Sequence, residues 1–135
     1  MNKPELTGQL VNLLQDKAVF AFLFGSCAKG DEFVRDDSDI DCAAFFHPEF
    51  VKDYAYFEVA EIFTSIHGRK LDLICLNTAD IIISAQVVMT GELLFARSKE
   101  QVDAYRAQIL SRYFDFKRSR KVIEDNILVR PNYAI

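Results

Sequence analysis

Residues 22–46 read FLFGSCAKGDEFVRDDSDIDCAAFF, and this stretch contains the signals that define the architecture. An apolar run ends at Gly25, a charged loop follows, and a second apolar run starts around Asp39 and Asp41. A glycine that closes an almost wholly apolar strand lets the chain turn sharply. We therefore expect two buried strands in this stretch, with a polar edge where the loop leaves the first and enters the second.

Outward from this stretch, strand-length apolar runs alternate with helical patterns. Strands are predicted at 18–24, 39–46, 70–77 and 92–96. Helices are predicted at 4–16, between the second and third strands, from Asn77 or Thr78 to Thr90, and at 99–125. The order of elements predicts an α/β (α+β) fold, with a small sheet of about four strands flanked by helices and a long C-terminal helix.

Size and composition limit the possible functions. At 135 residues the chain has the size of one domain, so residues 1–135 are expected to form a single unit. The net charge of −4 lacks the positive field of nucleic-acid binders, so no direct nucleic-acid binding is expected. Three widely spaced cysteines are typical of reduced thiols in a cytoplasmic protein. No apolar run approaches the roughly 20 residues that span a bilayer, so no membrane association is expected.

Three acids occur where apolar strands are predicted. Asp39 and Asp41 lie two residues apart, so their side chains project from the same face of a strand. Asp72 lies inside the apolar run LDLICL, where an isolated carboxylate would be costly to bury. Neighbouring carboxylates repel each other unless a divalent cation lies between them, and oxygen ligands favour magnesium. These three residues are therefore candidate metal ligands and catalytic residues for phosphoryl transfer.

The turn after the first strand is a candidate phosphate site. Gly25 permits close approach of the backbone, and the following amides together with the Ser26 hydroxyl can point at phosphate oxygens. Lys29, Arg35 or Arg97 would add positive charge, and the sequence does not choose among them.

These motifs together resemble the nucleotidyltransferase superfamily of the DNA polymerase β type, in its minimal nucleotidyltransferase (MNT) branch. The segment Gly25-Ser26-Cys27-Ala28-Lys29-Gly30 is similar to the family's G-S-x-A-x-G start. The sequence DSDID at 37–41 is similar to its D-x-D element, and Asp72 to its third acid. The loop between the serine and the first aspartate is two residues longer than the common spacing, which affects loop-borne phosphate contacts more than the three acids.

The resemblance implies a mixed sheet, ATP as nucleotide donor and two Mg²⁺ ions. Asp39 and Asp41 would bind both ions, and Asp72 would bind the catalytic ion and orient or deprotonate the acceptor hydroxyl. Gly25, Ser26 and Lys29 would contact the nucleotide. The chain is similar to the antitoxins of HEPN/MNT toxin–antitoxin pairs, which adenylylate a tyrosine of an HEPN ribonuclease toxin and thereby inactivate it.

Two alternatives remain open at this point. The protein is a binding module that blocks its toxin sterically, or it is a nucleotidyltransferase with a small-molecule acceptor such as a sugar or an antibiotic. The apolar stripe of the last helix likewise has two interpretations, as intramolecular core or as part of a partner-docking region at 98–135.

Overall fold

A computed structural model describes residues 2–28 and 39–129 of the chain. Its helices are α1 (Lys3–Leu14), α2 (Pro48–Val51), α3 (Tyr56–His67), α4 (Ile81–Thr90) and α5 (Lys99–Val129). Its strands are β1 (Ala18–Phe24), β2 (Ile40–Phe46), β3 (Leu71–Cys75) and β4 (Glu92–Ala96). Short 3-10 turns occupy Gly25–Ala28 and Lys52–Tyr54.

The four strands form one mixed sheet in the order β3-β2-β1-β4. β1 is antiparallel to both β2 and β4, whereas β2 and β3 run parallel. The predicted fold class is therefore confirmed, with strands β1 and β4 at the predicted residues. The parallel pair brings the start of β2 next to the start of β3, and β1 ends at the same edge of the sheet.

Each face of the sheet is covered by two helices. Helices α1 and α3 pack on one face, and α4 and α5 pack on the other. In β2 and β3, alternate residues face opposite layers: Cys42 and Cys75 belong to the first, Ala43 and Ile74 to the second. Both cysteines are buried free thiols, in agreement with the expected reduced state.

The segment after β2 differs from the predicted helix. Asp53 and Tyr54 have φ of 57° and 56°, a left-handed conformation that breaks the helix into α2 and α3. The apolar residues that suggested helical spacing are largely exposed, namely Tyr54, Phe57, Ile62 and Ile66. The side that α3 buries against the sheet consists of Tyr56, Val59 and Phe63. The segment carries two apolar stripes, and only packing against the sheet selects one.

The start of α4 also differs from the prediction. Asp80 is the N-cap, since its carboxylate accepts a hydrogen bond from the Ile83 amide at 2.8 Å. Asn77, predicted as a possible cap, instead bonds to β2. Its side chain accepts from the Phe46 amide at 2.8 Å and donates to the Phe46 carbonyl at 3.0 Å. Asn77 thereby fastens the end of β2 to the residues that follow β3.

Helix α5 begins as predicted and runs further than predicted. The Ser98 hydroxyl accepts a hydrogen bond from the Gln101 amide at 3.3 Å, which caps the helix. The helix continues to Val129, four residues beyond the predicted end. In the described part of the chain, no helix combines the length and apolar character needed to cross a membrane.

Candidate active site

Two of the predicted acids lie side by side at the end of the sheet where β2 and β3 begin and β1 stops, which we call the carboxylate edge. Asp41 of β2 is the register partner of Asp72 of β3, in strands that run parallel. Because the pleats of adjacent strands are aligned, paired residues project their side chains from the same face, with the strands about 4.8 Å apart. That face also carries Ala43, Phe45 and Ile74, which pack in the layer of α4 and α5. Both carboxylates therefore belong to the α4/α5 face of the sheet.

Asp39, the third acid, affects the pKa of Asp41. Burial raises the pKa of Asp41, and the negative charges of Asp72 and Asp39 raise it further. Asp39 precedes β2 and is exposed. The structure thus brings Asp41 and Asp72 together in adjacent strands. Asp39, predicted as the first residue of the same strand as Asp41, instead lies just before β2, within electrostatic reach of Asp41.

Gly25 lies directly against this acidic pair. β1 ends at Phe24, the register partner of Asp41, and Gly25 then turns the chain with φ of +72°. A Cβ at Gly25 would overlap the Asp41 carboxylate and would lie 3.1 Å from its Cγ. Glycine is therefore required twice here, for the left-handed backbone and for the space beside Asp41. The backbone of the 3-10 turn Gly25–Ala28 follows immediately.

The predicted phosphate contacts have different outcomes. The side chain of Ser26, together with Lys29 and Arg35, lies outside the described residues. Arg97 does not contribute to this site. Its amide donates to the carbonyl of Val19, at the start of β1, and its guanidinium lies 2.9 Å from His47 Nε2. Arg97 is thus at the opposite end of the sheet from Gly25, because β4 runs antiparallel to β1.

Two cations near the site were not predicted. Lys70 Nζ lies 3.8 Å from Asp72 Oδ1, and Lys3 Nζ lies 3.3 Å from the Ala28 carbonyl and 2.6 Å from Glu92 Oε1. The i, i+2 spacing of Lys70 and Asp72 in a predicted strand is a signal that would have found the first. Lys3 has no such signal, since only the tertiary fold brings α1 to the turn after β1.

The donor chemistry of the edge suits a divalent cation. In residues 2–28 and 39–129, no group of three or more His, Cys, Asp or Glu side chains is already arranged as a metal site. Burial raises the pKa of Asp41 and repulsion from Asp72 and Asp39 adds to it, and a bound cation would offset both effects. Carboxylate oxygens without nitrogen or sulfur ligands are typical of magnesium sites. The residues present therefore fit Mg²⁺.

Comparison with known proteins adds three relatives. Protein adenylyltransferase MntA of Shewanella oneidensis is 25% identical over 123 residues, which are 89% of this chain and 86% of MntA. A crystal structure of a toxin–antitoxin with AMP-PNP aligns with a TM-score of 0.75 and 26% identity, over 90% of this chain and 98% of that one. The MNT antitoxin in complex with tri-AMPylated Shewanella oneidensis HEPN toxin shares the fold, with a TM-score of 0.74, 23% identity, and 93% and 98% coverage.

A family profile covers most of the chain. The profile described as polymerase beta, nucleotidyltransferase matches residues 9–100. The matched region contains Gly25, Asp41 and Asp72 and ends just after α5 begins. Most of α5 thus lies beyond the part that the profile describes. On this match, supported by the fold of the aligned structures, the chain belongs to the polymerase beta nucleotidyltransferase family.

Proposed function

We propose that this protein is a protein adenylyltransferase that acts as an antitoxin. It transfers AMP from ATP to a tyrosine hydroxyl of a cognate HEPN ribonuclease toxin and thereby inactivates the toxin. The observation that carries the proposal is the pairing of Asp41 with Asp72 in adjacent parallel strands, with the Gly25 backbone directly against Asp41. The similarity to MntA and to a toxin–antitoxin solved with AMP-PNP supports the reaction and the donor.

The residues of the edge have distinct proposed roles. Asp39, Asp41 and Asp72 would hold two Mg²⁺ ions. When bound, the ions lower the pKa of the attacking hydroxyl and neutralise the leaving oxygen. The amides of the turn at Gly25, with the Ser26 hydroxyl and Lys29, would bind the β- and γ-phosphates.

The proposed transfer forms one bond and breaks one bond at the α-phosphorus of ATP. The tyrosine oxygen forms a bond to the α-phosphorus of ATP, the bond from that phosphorus to the β-phosphate oxygen breaks, and pyrophosphate leaves. The hydroxyl proton passes to a carboxylate, for which Asp72 is the best placed. Its side chain is 44% exposed, so a residue of another molecule can reach it from solvent.

We further propose that the acceptor is presented by a second protein. Residues 1–135 would form one minimal nucleotidyltransferase domain, in which 98–135 contributes to docking the partner. Both layers of helices in the described residues pack on the sheet, and the carboxylate edge opens to solvent at Asp72. Such a protein would act in the cytoplasm, where its nucleotide donor is available.

The decisive experiment measures label transfer. The protein is incubated with ATP labelled at the α-phosphate, magnesium and the cognate HEPN protein, and the label on the HEPN protein is quantified. The variant Asp39→Asn/Asp41→Asn should reduce the label to background. A matched double variant at the far end of the sheet, Glu49→Gln/Asp53→Asn, should transfer label normally, because both residues lie after the end of β2.

The same experiment separates the alternatives. Undiminished transfer by the Asp39→Asn/Asp41→Asn variant would refute the assigned site. If that variant transfers nothing and still neutralises the toxin in cells, steric binding accounts for neutralisation. Labelling of a small molecule without any partner protein would instead favour a sugar or antibiotic acceptor.

A further inference from the structure

Helix α5 carries one apolar repeat along two different environments. Val102, Ile109, Phe116 and Ile123 follow each other at intervals of seven residues, the spacing that keeps side chains on one side of a helix. Val102 and Ile109 are 1% and 4% exposed, whereas Phe116 and Ile123 are 38% and 60% exposed. The repeat is therefore buried in the first half of α5 and exposed in the second half.

The second half of α5 stands apart from the domain. We call residues 111–126 the outer segment. Every side chain in it is exposed except that of Tyr113, which is half-buried. Isolated helices of this length are marginally stable in water, and their stability in proteins comes mainly from packing of an apolar side. Four large apolar side chains are nevertheless exposed here, which is unusual for a solvated helix: Phe114, Phe116, Val122 and Ile123.

The outer segment also forms one wall of a groove. A cavity of about 820 Å³ lies along it, with an apolar part made by Ile82 of α4 and by Tyr113, Phe114 and Phe116 of α5. Four lysine and arginine side chains and two acidic ones, Glu124 and Asp125, line the rest of the groove, so its charged lining is positive on balance. The Lys117 ammonium lies 5.7 Å from the centre of the Tyr113 ring. The groove therefore combines aromatic contact area with positive charge.

The charge of the outer segment opposes that of the whole chain. The segment has five basic side chains and three acidic ones, in a protein with net charge −4. Two of the basic groups are paired within the helix, Arg118 with Asp115 at 3.1 Å and Arg120 with Glu124 at 3.0 Å. The excess of positive charge complements an acidic surface.

The first half of α5 fixes where the outer segment begins. Tyr105 packs on Phe20 and Phe45, at ring-centroid distances of 5.0 and 5.7 Å, on the same face of the sheet as Asp41 and Asp72. A protein held on the outer segment is thus anchored to the helix layer of the face on which the carboxylates lie.

We propose that the outer segment of α5 docks the acceptor protein, through a helix of that protein whose apolar stripe is flanked by carboxylates. The inference rests on the proposed function and specifies how its acceptor is recognised. Packing of that helix would extend the seam of Val102 and Ile109 through Phe116 and Ile123, and would place carboxylates against Lys117 and Lys121. Recognition and chemistry then use separate parts of the chain.

The test measures binding and transfer separately, with the cognate HEPN protein as the probe. The variant Phe116→Arg/Ile123→Arg, which we call the seam variant, places two cations in the apolar repeat. It should bind the probe at least about 30-fold more weakly. A matched control, Phe57→Arg/Ile66→Arg, changes one phenylalanine and one isoleucine of α3 that are 56% and 68% exposed and lie outside the outer segment and its groove. It should bind within about twofold of the unchanged protein.

Label transfer distinguishes failure of docking from failure of the chemistry. In the seam variant, transfer should return at high probe concentration, so that KM for the probe rises while kcat stays close to that of the unchanged protein. The Asp39→Asn/Asp41→Asn variant should show the reverse, with normal binding and no transfer. Normal binding by the seam variant overturns the docking proposal and leaves the proposed function standing. If the unchanged protein binds the probe, the seam variant binds it weakly, and the unchanged protein nevertheless transfers no label, the proposed function is overturned and the docking proposal stands.

Two further measurements identify other occupants. The protein alone should be a monomer by light scattering, and a dimer that the seam variant dissociates would assign the surface to a second copy of this chain instead. Labelled single-stranded RNA should not bind, and binding that Lys117→Glu/Lys121→Glu abolishes would assign it to nucleic acid. Either result overturns the proposal.

Discussion

The carboxylate edge and the outer segment of α5 are built in opposite ways. At the edge, Asp41, Asp72 and Gly25 are positioned by strand register within the chain, at the cost of electrostatic repulsion and a left-handed turn. In the outer segment, by contrast, four large apolar side chains remain exposed within the described residues. In our proposal, a cation bound at the carboxylate edge would offset the repulsion there, and a partner bound to the outer segment would bury its exposed apolar side chains.

The largest expected effect separates the two halves of α5. Replacing Ile109 by Ala should lower the free energy of unfolding by about 2–5 kcal/mol, since it truncates a nearly fully buried side chain in the first half of α5. Ile123→Ala, the matched change two repeats later, should alter it by no more than about 0.5 kcal/mol in the isolated protein. Urea denaturation followed by circular dichroism measures both. Similar losses from the two changes would show that the outer segment is already packed within the free chain.

The next prediction disrupts the edge at its narrowest point. Gly25→Ala should lower the rate of AMP transfer by about 100-fold, because the added Cβ displaces the Asp41 carboxylate. Gly8→Ala is the matched control, since nothing lies within 4 Å of a Cβ at that helical position. It should keep full activity and stabilise α1 by about 1 kcal/mol. Unchanged transfer by Gly25→Ala would mean that Asp41 does not need its observed place.

A third prediction tests the stored repulsion at the edge. Because the folded-state pKa of Asp41 is raised, its ionised form destabilises the fold above that pKa, and this destabilisation vanishes below the ordinary carboxyl value of 3.8. Asp41→Asn should therefore raise Tm at pH 7, and the gain should shrink as the pH is lowered towards 4.

The control for that prediction is an acid with the opposite shift. A hydrogen bond from Lys17 lowers the pKa of Asp16, so Asp16→Asn should not raise Tm at pH 7. Thermal unfolding across a pH series gives both results. A lower Tm for Asp41→Asn at pH 7 would show that this carboxylate is stabilised where it lies.

The smallest expected effect concerns Lys70. Its ammonium is 68% exposed and lies 3.8 Å from Asp72 Oδ1, so it should compete weakly with a bound cation for that carboxylate. Exposed ion pairs contribute about 0.2–1 kcal/mol, so Lys70→Ala should lower the magnesium concentration for half-maximal transfer by up to about fivefold. Lys52→Ala, at an exposed turn after β2, should leave it unchanged. A higher magnesium requirement in Lys70→Ala would indicate that Lys70 assists the site.

Much of the site could be predicted because its signals are local. A carboxylate within an apolar strand, as at Asp72, is anomalous wherever the strand lies, and a glycine after a buried strand predicts a turn. Arg97 shows the limit of such reasoning. It is a plausible phosphate ligand by charge, but the antiparallel direction of β4 carries it to the far end of the sheet. Strand direction is not a local property of the residues.

The helices show the same division. The repeat that identifies α5 could be read directly from sequence, but the repeat alone did not distinguish its buried half from its exposed half, because Ile109 and Phe116 occupy the same position in it. In α3 the more apparent apolar stripe turned out to be the exposed one. Which stripe is buried depends on the surface that the rest of the chain offers to the helix.

Local patterns were sufficient to specify the α/β class, the four strands, the three acids and the glycine turn, because alternation, helical spacing and isolated charges are recorded in neighbouring residues. Other features required the folded chain: Asp41 and Asp72 are register partners, Gly25 leaves room for the Asp41 carboxylate, and α5 leaves the domain after Ile109. These features depend on pairing and contact between residues distant in the chain, which no local pattern specifies.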